Sequence, residues 1–184
     1  MLAASPKLAL ERAEDGATRQ SAGAYFFDEI KLYMYEGDTA LHMAAAAYQV
    51  RIAEALIAKG AAIRAQNRRG AEPLHYAADG APSFRHWNPN EQAATIACLI
   101  HAGANPNTVD KSGVAPLHRA VRTRCAGAVK ALLEGGADVC AKNKSGSTPM
   151  LLASRNTGRG GTGTPESKAQ QEEIVRLLAE HGAT

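Results

Sequence analysis

One nine-residue phrase recurs four times along this chain, and no other feature limits its possible folds as much. It reads Gly37-Asp38-Thr39-Ala40-Leu41-His42-Met43-Ala44-Ala45, then Gly70-Ala71-Glu72-Pro73-Leu74-His75-Tyr76-Ala77-Ala78, then Gly113-Val114-Ala115-Pro116-Leu117-His118-Arg119-Ala120-Val121. A weaker copy is Gly146-Ser147-Thr148-Pro149-Met150-Leu151-Leu152-Ala153-Ser154. A second phrase, an apolar pair followed by Gly-Ala, closes each copy: Leu56-Ile57 before Gly60-Ala61, Leu99-Ile100 before Gly103-Ala104, Leu132-Leu133 before Gly136-Ala137, Leu177-Leu178 before Gly182-Ala183. Each opening glycine follows the previous closing glycine by 10 positions (60 to 70, 103 to 113, 136 to 146). Opener and closer stand 23 apart in copies one and three (37 to 60, 113 to 136) and 33 and 36 apart in copies two and four (70 to 103, 146 to 182). The period is therefore 33 residues, with insertions inside copies two and four. Such self-similarity means stacked supersecondary units.

Local chemistry explains what each unit is. Thr39 and Thr148 are N-cap residues, and Pro73, Pro116 and Pro149 occupy the place of the first helical residue. Gly60, Gly103 and Gly136 stand where a helix C-terminus takes a left-handed residue. Two apolar-periodic segments lie between these signals in each copy, such as 40–47 and 50–58, each too short to bury its own face. They must pack on each other and on the next copy, which is the logic of a solenoid. The 33-residue period and the T-P-L-H-x-A phrase resemble the ankyrin repeat, over residues 37–184. The resemblance implies an all-α solenoid of four helix-turn-helix repeats with hairpin fingers: 37–69, 70–112 (insertion about 79–90), 113–145 and 146–184 (insertion about 156–164). It also implies that pairs such as Thr39 and His42 hydrogen-bond locally, so Thr39, His42, His75 and His118 are structural. The chain resembles stand-alone, bacterial-type ankyrin-repeat proteins.

Residues 1–36 precede the repeats. Ser5-Pro6 predicts a helix to about Glu14, 16–24 a linker, and the spacing of Phe26, Ile30, Tyr33 and Met34 a second helix over 25–35, a helical cap on repeat one. The insertion of repeat two carries Phe84, Arg85, His86 and Trp87, the one tryptophan. Trp and Arg are residues of binding hot spots, although Trp87 could equally fold back over alanine-rich helix surface. The insertion of repeat four is glycine-rich (Gly158, Gly160, Gly161, Gly163), but Thr164-Pro165 follows it where a phosphate loop needs Lys. It reads as a flexible loop. Both insertions join the first and second helix of a repeat and should leave the same edge of the stack, about 20 Å apart for two helix layers.

No stretch approaches 18 apolar residues, and no secretory h-region is present, so neither a membrane span nor a signal peptide is expected. Cys98, Cys125 and Cys140 lack C-x-x-C spacing and read as free thiols of a reducing, cytoplasmic setting. His42, His75 and His118 are separated by whole repeats, about 10 Å per layer, whereas zinc ligands converge to about 2.0–2.1 Å from one ion. No metal, cofactor or catalytic set is expected; His86 beside Trp87 is the one place an enzyme reading would look.

Charge gives the functional expectation. Residues 1–36 carry Lys7, Arg12, Arg19 and Lys31 against Glu11, Glu14, Asp15, Asp28, Glu29 and Glu36, whereas 60–160 hold thirteen Lys/Arg against six Asp/Glu. In ankyrin-like stacks the finger tips and first helices form the concave binding face. Matched copy by copy, that face carries Arg68, Arg69, Tyr76, Lys111, Arg119, Arg122, Arg124, Lys142, Lys144 and Arg155. With Trp87 these are the expected partner-binding residues of a monomeric, non-catalytic protein–protein interaction scaffold, an adaptor or inhibitor, that binds an acidic partner surface. A nucleic-acid binder would use the same basic face on phosphates, but the interleaved aromatics of single-strand stacking are nearly absent.

Overall fold

Four helix pairs carry the chain. The computed structural model describes residues 6–80, 87–155 and 164–183. The pairs are α1 (Ala40–Ala46) with α2 (Val50–Ala58), α3 (Pro73–Ala78) with α4 (Pro89–His101), α5 (Pro116–Arg122) with α6 (Ala126–Glu134), and α7 (Pro149–Ser154) with α8 (Pro165–Glu180). First helices stack on first helices (α1 on α3, α3 on α5, α5 on α7) and second on second (α2 on α4, α4 on α6, α6 on α8). The core is one continuous band of alanines and leucines, among them Leu41, Ala53, Leu74, Leu99, Leu117, Leu132 and Leu178. Helices of six or seven residues cannot bury a face alone; alanine lets them approach closely enough to share one.

Between the pairs run the fingers. Asn67, Asp110 and Asn143 each accept, through a side-chain oxygen, the amides two and four residues on: Arg69 and Ala71, Ser112 and Val114, Ser145 and Ser147. Neighbouring fingers join by one backbone bond each: Arg68 N–H to Glu36 O (2.8 Å), Lys111 N–H to Arg69 O (2.9 Å), Lys144 N–H to Ser112 O (3.1 Å). Glycine permits that approach. Gly113 has φ 72°, and a Cβ there would sit 2.8 Å from the amide nitrogen of Lys144.

Histidine ties repeat to repeat. The Nδ1 of His42, His75 and His118 accepts the amide of Thr39 (3.0 Å), Glu72 (3.1 Å) and Ala115 (3.2 Å). The proton must then be on Nε2, which donates to Ala71 O (3.1 Å), Val114 O (3.0 Å) and Ser147 O (3.1 Å) of the following repeat. Burial lowers all three pKa values, that of His75 to about 4, because the charged imidazolium loses its hydration there.

The N-terminal segment departs from the helical cap expected of it. Its described part has 3₁₀ turns at Pro6–Ala9 and Ala22–Tyr25 and an antiparallel hairpin, β1 (Phe26–Phe27) with β2 (Leu32–Tyr33). The reason is composition: Phe26, Phe27, Leu32 and Tyr33 fit a pleated, half-buried surface better than a helix, and Lys31 turns the chain at φ 50°. The segment nevertheless lies on repeat one. Ala9 is in the core, Ile30, Leu32 and Tyr35 pack against it, and Arg12 bridges to Thr39. Residues 34–38 even imitate a finger, since Glu36 O enters the finger ladder and Gly37 has φ 84°.

Both long insertions leave between first and second helices, after Asp79 and after Arg155. Most of each, with Phe84, Arg85, His86 and the glycine run, lies outside the described residues, and so does the expected separation of the two loops.

Candidate functional site

The finger tips present basic side chains at one repeated place. Arg68, Lys111 and Lys144 each stand two residues before a finger glycine, and all three are exposed, as are Arg69, Lys142 and Arg155. Among the described residues, Lys111, Lys142, Lys144 and Arg155 have no side-chain hydrogen bond or ion pair. The first finger is partly engaged. The guanidinium groups of Arg68 and Arg69 lie 5.5 and 4.9 Å from the centre of the Tyr35 ring. Arg69 Nη1 donates to the Tyr35 hydroxyl (2.8 Å), and Arg68 donates to Ala17 O. Cation–π contact holds these heads without removing their charge.

Four residues expected on this face are used inside the protein instead. Tyr76 is 2% exposed. Its hydroxyl donates to Asp38 Oδ2 (2.7 Å) and accepts from Asn67 Nδ2 (2.9 Å), and burial followed by the neighbouring Asp38 raises its pKa. Arg119 occupies the equivalent place one repeat on, its side chain 12% exposed. It joins Asp79 through Nη1 (2.9 Å) and the finger carboxylate of Asp110 through Nη2 (3.0 Å). Burial acts to lower its pKa, yet Asp79 and Asp110 hold it raised. Tyr76 and Arg119 are therefore ties between finger and first helix, each nine residues after its partner Asn67 or Asp110. Arg122 is half-buried with Nη2 3.9 Å from Asp79 Oδ1, so Asp79 sits between two arginines.

Arg124 is the clearest correction, being 0% exposed. Its Nη1 and Nη2 donate to Ala153 O (2.9 Å) and Arg155 O (2.6 Å). Burial lowers its pKa, while the negative end of α7 stabilises its charge. The same place in repeat one is held by Tyr48, whose hydroxyl donates to Asp79 O (2.6 Å). Both residues are left-handed, at φ 53° and 61°, and each reaches 31 positions ahead to close the first helix of an insertion-bearing repeat. The 76-residue offset between Tyr48 and Arg124 was the available signal, hidden because Tyr and Arg look unrelated.

Trp87 is half-buried against the core, and its Nε1 donates to Gln92 Oε1 (2.8 Å). Gln92 is itself buried and donates to Ala77 O (2.9 Å). The indole thus helps fasten the return of the insertion onto α4, which consumes its polar handle. The described residues hold no group of three or more His, Cys, Asp or Glu that could take a metal ion, and none of their helices is long and apolar enough to cross a membrane.

A family model described as ankyrin repeats (3 copies) matches residues 14–84 and 88–184. The chain belongs to the ankyrin repeat family. It is 30% identical over 188 residues to ankyrin repeat and SOCS box protein 6 of Homo sapiens, covering 96% of this chain and 41% of that protein. It is 31% identical over 134 residues to B-cell lymphoma 3 protein of Homo sapiens, covering 70% of this chain and 27% of that protein. The chain thus spans less than half the length of these relatives. Ankyrin repeats generally mediate protein–protein interaction, and the helix stack and fingers of this chain are that module.

Proposed function

We propose that this ankyrin chain is a non-catalytic recognition scaffold whose finger face binds an acidic surface of another protein. One observation carries the reading: Lys111, Lys142 and Lys144 stand exposed on two successive fingers with their ammonium groups committed to nothing among the described residues. Arg68 and Arg69 extend the row, and Arg155 flanks it. Arg119 and Arg122 support the face from beneath through Asp79 and Asp110, while Tyr76, Trp87 and Arg124 serve the fold. Free Cys98, Cys125 and Cys140 accord with a reducing, cytoplasmic setting.

The test is affinity capture from nuclease-treated lysate with wild type and Lys111→Glu/Lys142→Glu/Lys144→Glu, both checked for native helicity by circular dichroism. A protein held by wild type and lost by the variant supports the reading. Equal capture by both forms overturns it and moves attention to the insertions. Capture seen only in a parallel lysate without nuclease favours phosphate binding by the same face.

A further inference from the structure

Resting on that reading, we propose that Arg119 is a positioning residue whose guanidinium masks the carboxylates of Asp79 and Asp110, which would otherwise repel an acidic partner from the second finger. The side chain that closes each finger is neutral in the first and third, Asn67 and Asn143, and acidic in the second, Asp110. Asp110 Oδ1 accepts the amides of Ser112 (2.8 Å) and Val114 (3.1 Å), as the asparagine oxygens accept theirs. Its Oδ2 is the additional group, one residue before the ammonium of Lys111. Burial acts to raise the pKa of Asp110, yet the Val114 amide and Arg119 hold it lowered, so the carboxylate is charged at neutral pH.

One fork spans both acids. Arg119 donates through Nη1 to Asp79 Oδ2 (2.9 Å) and through Nη2 to Asp110 Oδ2 (3.0 Å), while Arg122 Nη2 lies 3.9 Å from Asp79 Oδ1. Lys111, Arg119 and Arg122 then outnumber Asp79 and Asp110, and this part of the face is positive; without Arg119 the charges cancel. Arg119 offers nothing to a partner directly. Its side chain is 12% exposed, both terminal nitrogens are occupied, and Nε is buried. Its place, six residues after the finger glycine, follows the finger behind it. Tyr76 stands there after neutral Asn67 and Leu152 after neutral Asn143, and arginine stands there only after Asp110.

A labelled oligoglutamate peptide tests this by fluorescence anisotropy at low salt, against the full chain and three variants checked for native helicity by circular dichroism. Arg119→Gln should bind about tenfold more weakly than wild type, the scale of one unmasked charge near a protein surface. Asp110→Asn keeps the amide acceptor of the other fingers and should bind more tightly than wild type. Arg119→Gln/Asp110→Asn should return to wild-type affinity, and all these differences should shrink as salt rises. A double variant as weak as Arg119→Gln would make Arg119 a direct contact and overturn the masking role. Equal affinity of wild type and Asp110→Asn overturns it as well, even where Arg119→Gln fails to fold. No binding by wild type overturns the basic-face reading and this inference with it.

Discussion

At the scale of single residues, the repeated histidine shows how one side chain serves two repeats. Its neutral form accepts at Nδ1 and donates at Nε2, and burial holds its pKa down, to about 4 at His75. The consequence for pH has a definite sign. Unfolded histidine takes a proton near its ordinary 6.5, whereas folded His75 refuses it until about pH 4, so stability falls as pH drops through that window. Each such residue removes about 1.4 kcal/mol per pH unit. Urea unfolding at pH 7 and pH 5 should show the loss, and in His75→Gln the difference between the two pH values should shrink by about 2 kcal/mol. A variant with the wild-type pH dependence would show that His75 is not one of the titrating groups.

Elements are closed by residues that lie far away in sequence. Arg124 and Tyr48 each donate to the last carbonyls of a first helix 31 positions ahead. Arg124→Met keeps the left-handed backbone and the buried chain but removes two charged donors, at a cost of about 3 kcal/mol, whereas Tyr48→Phe should cost about 1 kcal/mol. Chemical denaturation reads both, and equal costs would contradict the charge argument. Tyr76→Phe strips one donor from buried Asp38 and should cost about 1–3 kcal/mol by the same measurement. These elements were legible in the sequence to different depths. The four helix pairs and the finger glycines follow from period, cap and left-handed chemistry, all local. The burial of Tyr76 and Arg124 depends on Asp38 and Arg155, 38 and 31 positions away, and spacing alone could not show it. The N-terminal hairpin is hidden from spacing alone, because Phe26, Ile30 and Tyr33 fit a helical period although aromatic residues prefer a pleated surface.

Across the whole molecule the histidine, Tyr48 and Arg124 ties run forward, each donating to the next repeat, and the last of them reach repeat four. His118 is the last donor in the relay, and at the equivalent place in repeat four stands Leu151, 36% exposed, with no ring nitrogen to offer. Repeats two and three are packed on both sides, repeat one is covered by the N-terminal segment, and α7 and α8 pack on one neighbouring pair, α5 and α6. Repeat stability is a sum of intrinsic and nearest-neighbour terms, so opening should begin at this end. Native-state hydrogen exchange should show amides of α7 and α8 exchanging before those of α4 and α6, at less than the global unfolding free energy. Arg124→Met should widen that gap, since Arg124 is the clamp from repeat three onto α7. Uniform exchange across all four repeats would mean that they fold as one unit. Early opening that Arg124→Met leaves unchanged would mean that the weak end owes nothing to the clamp.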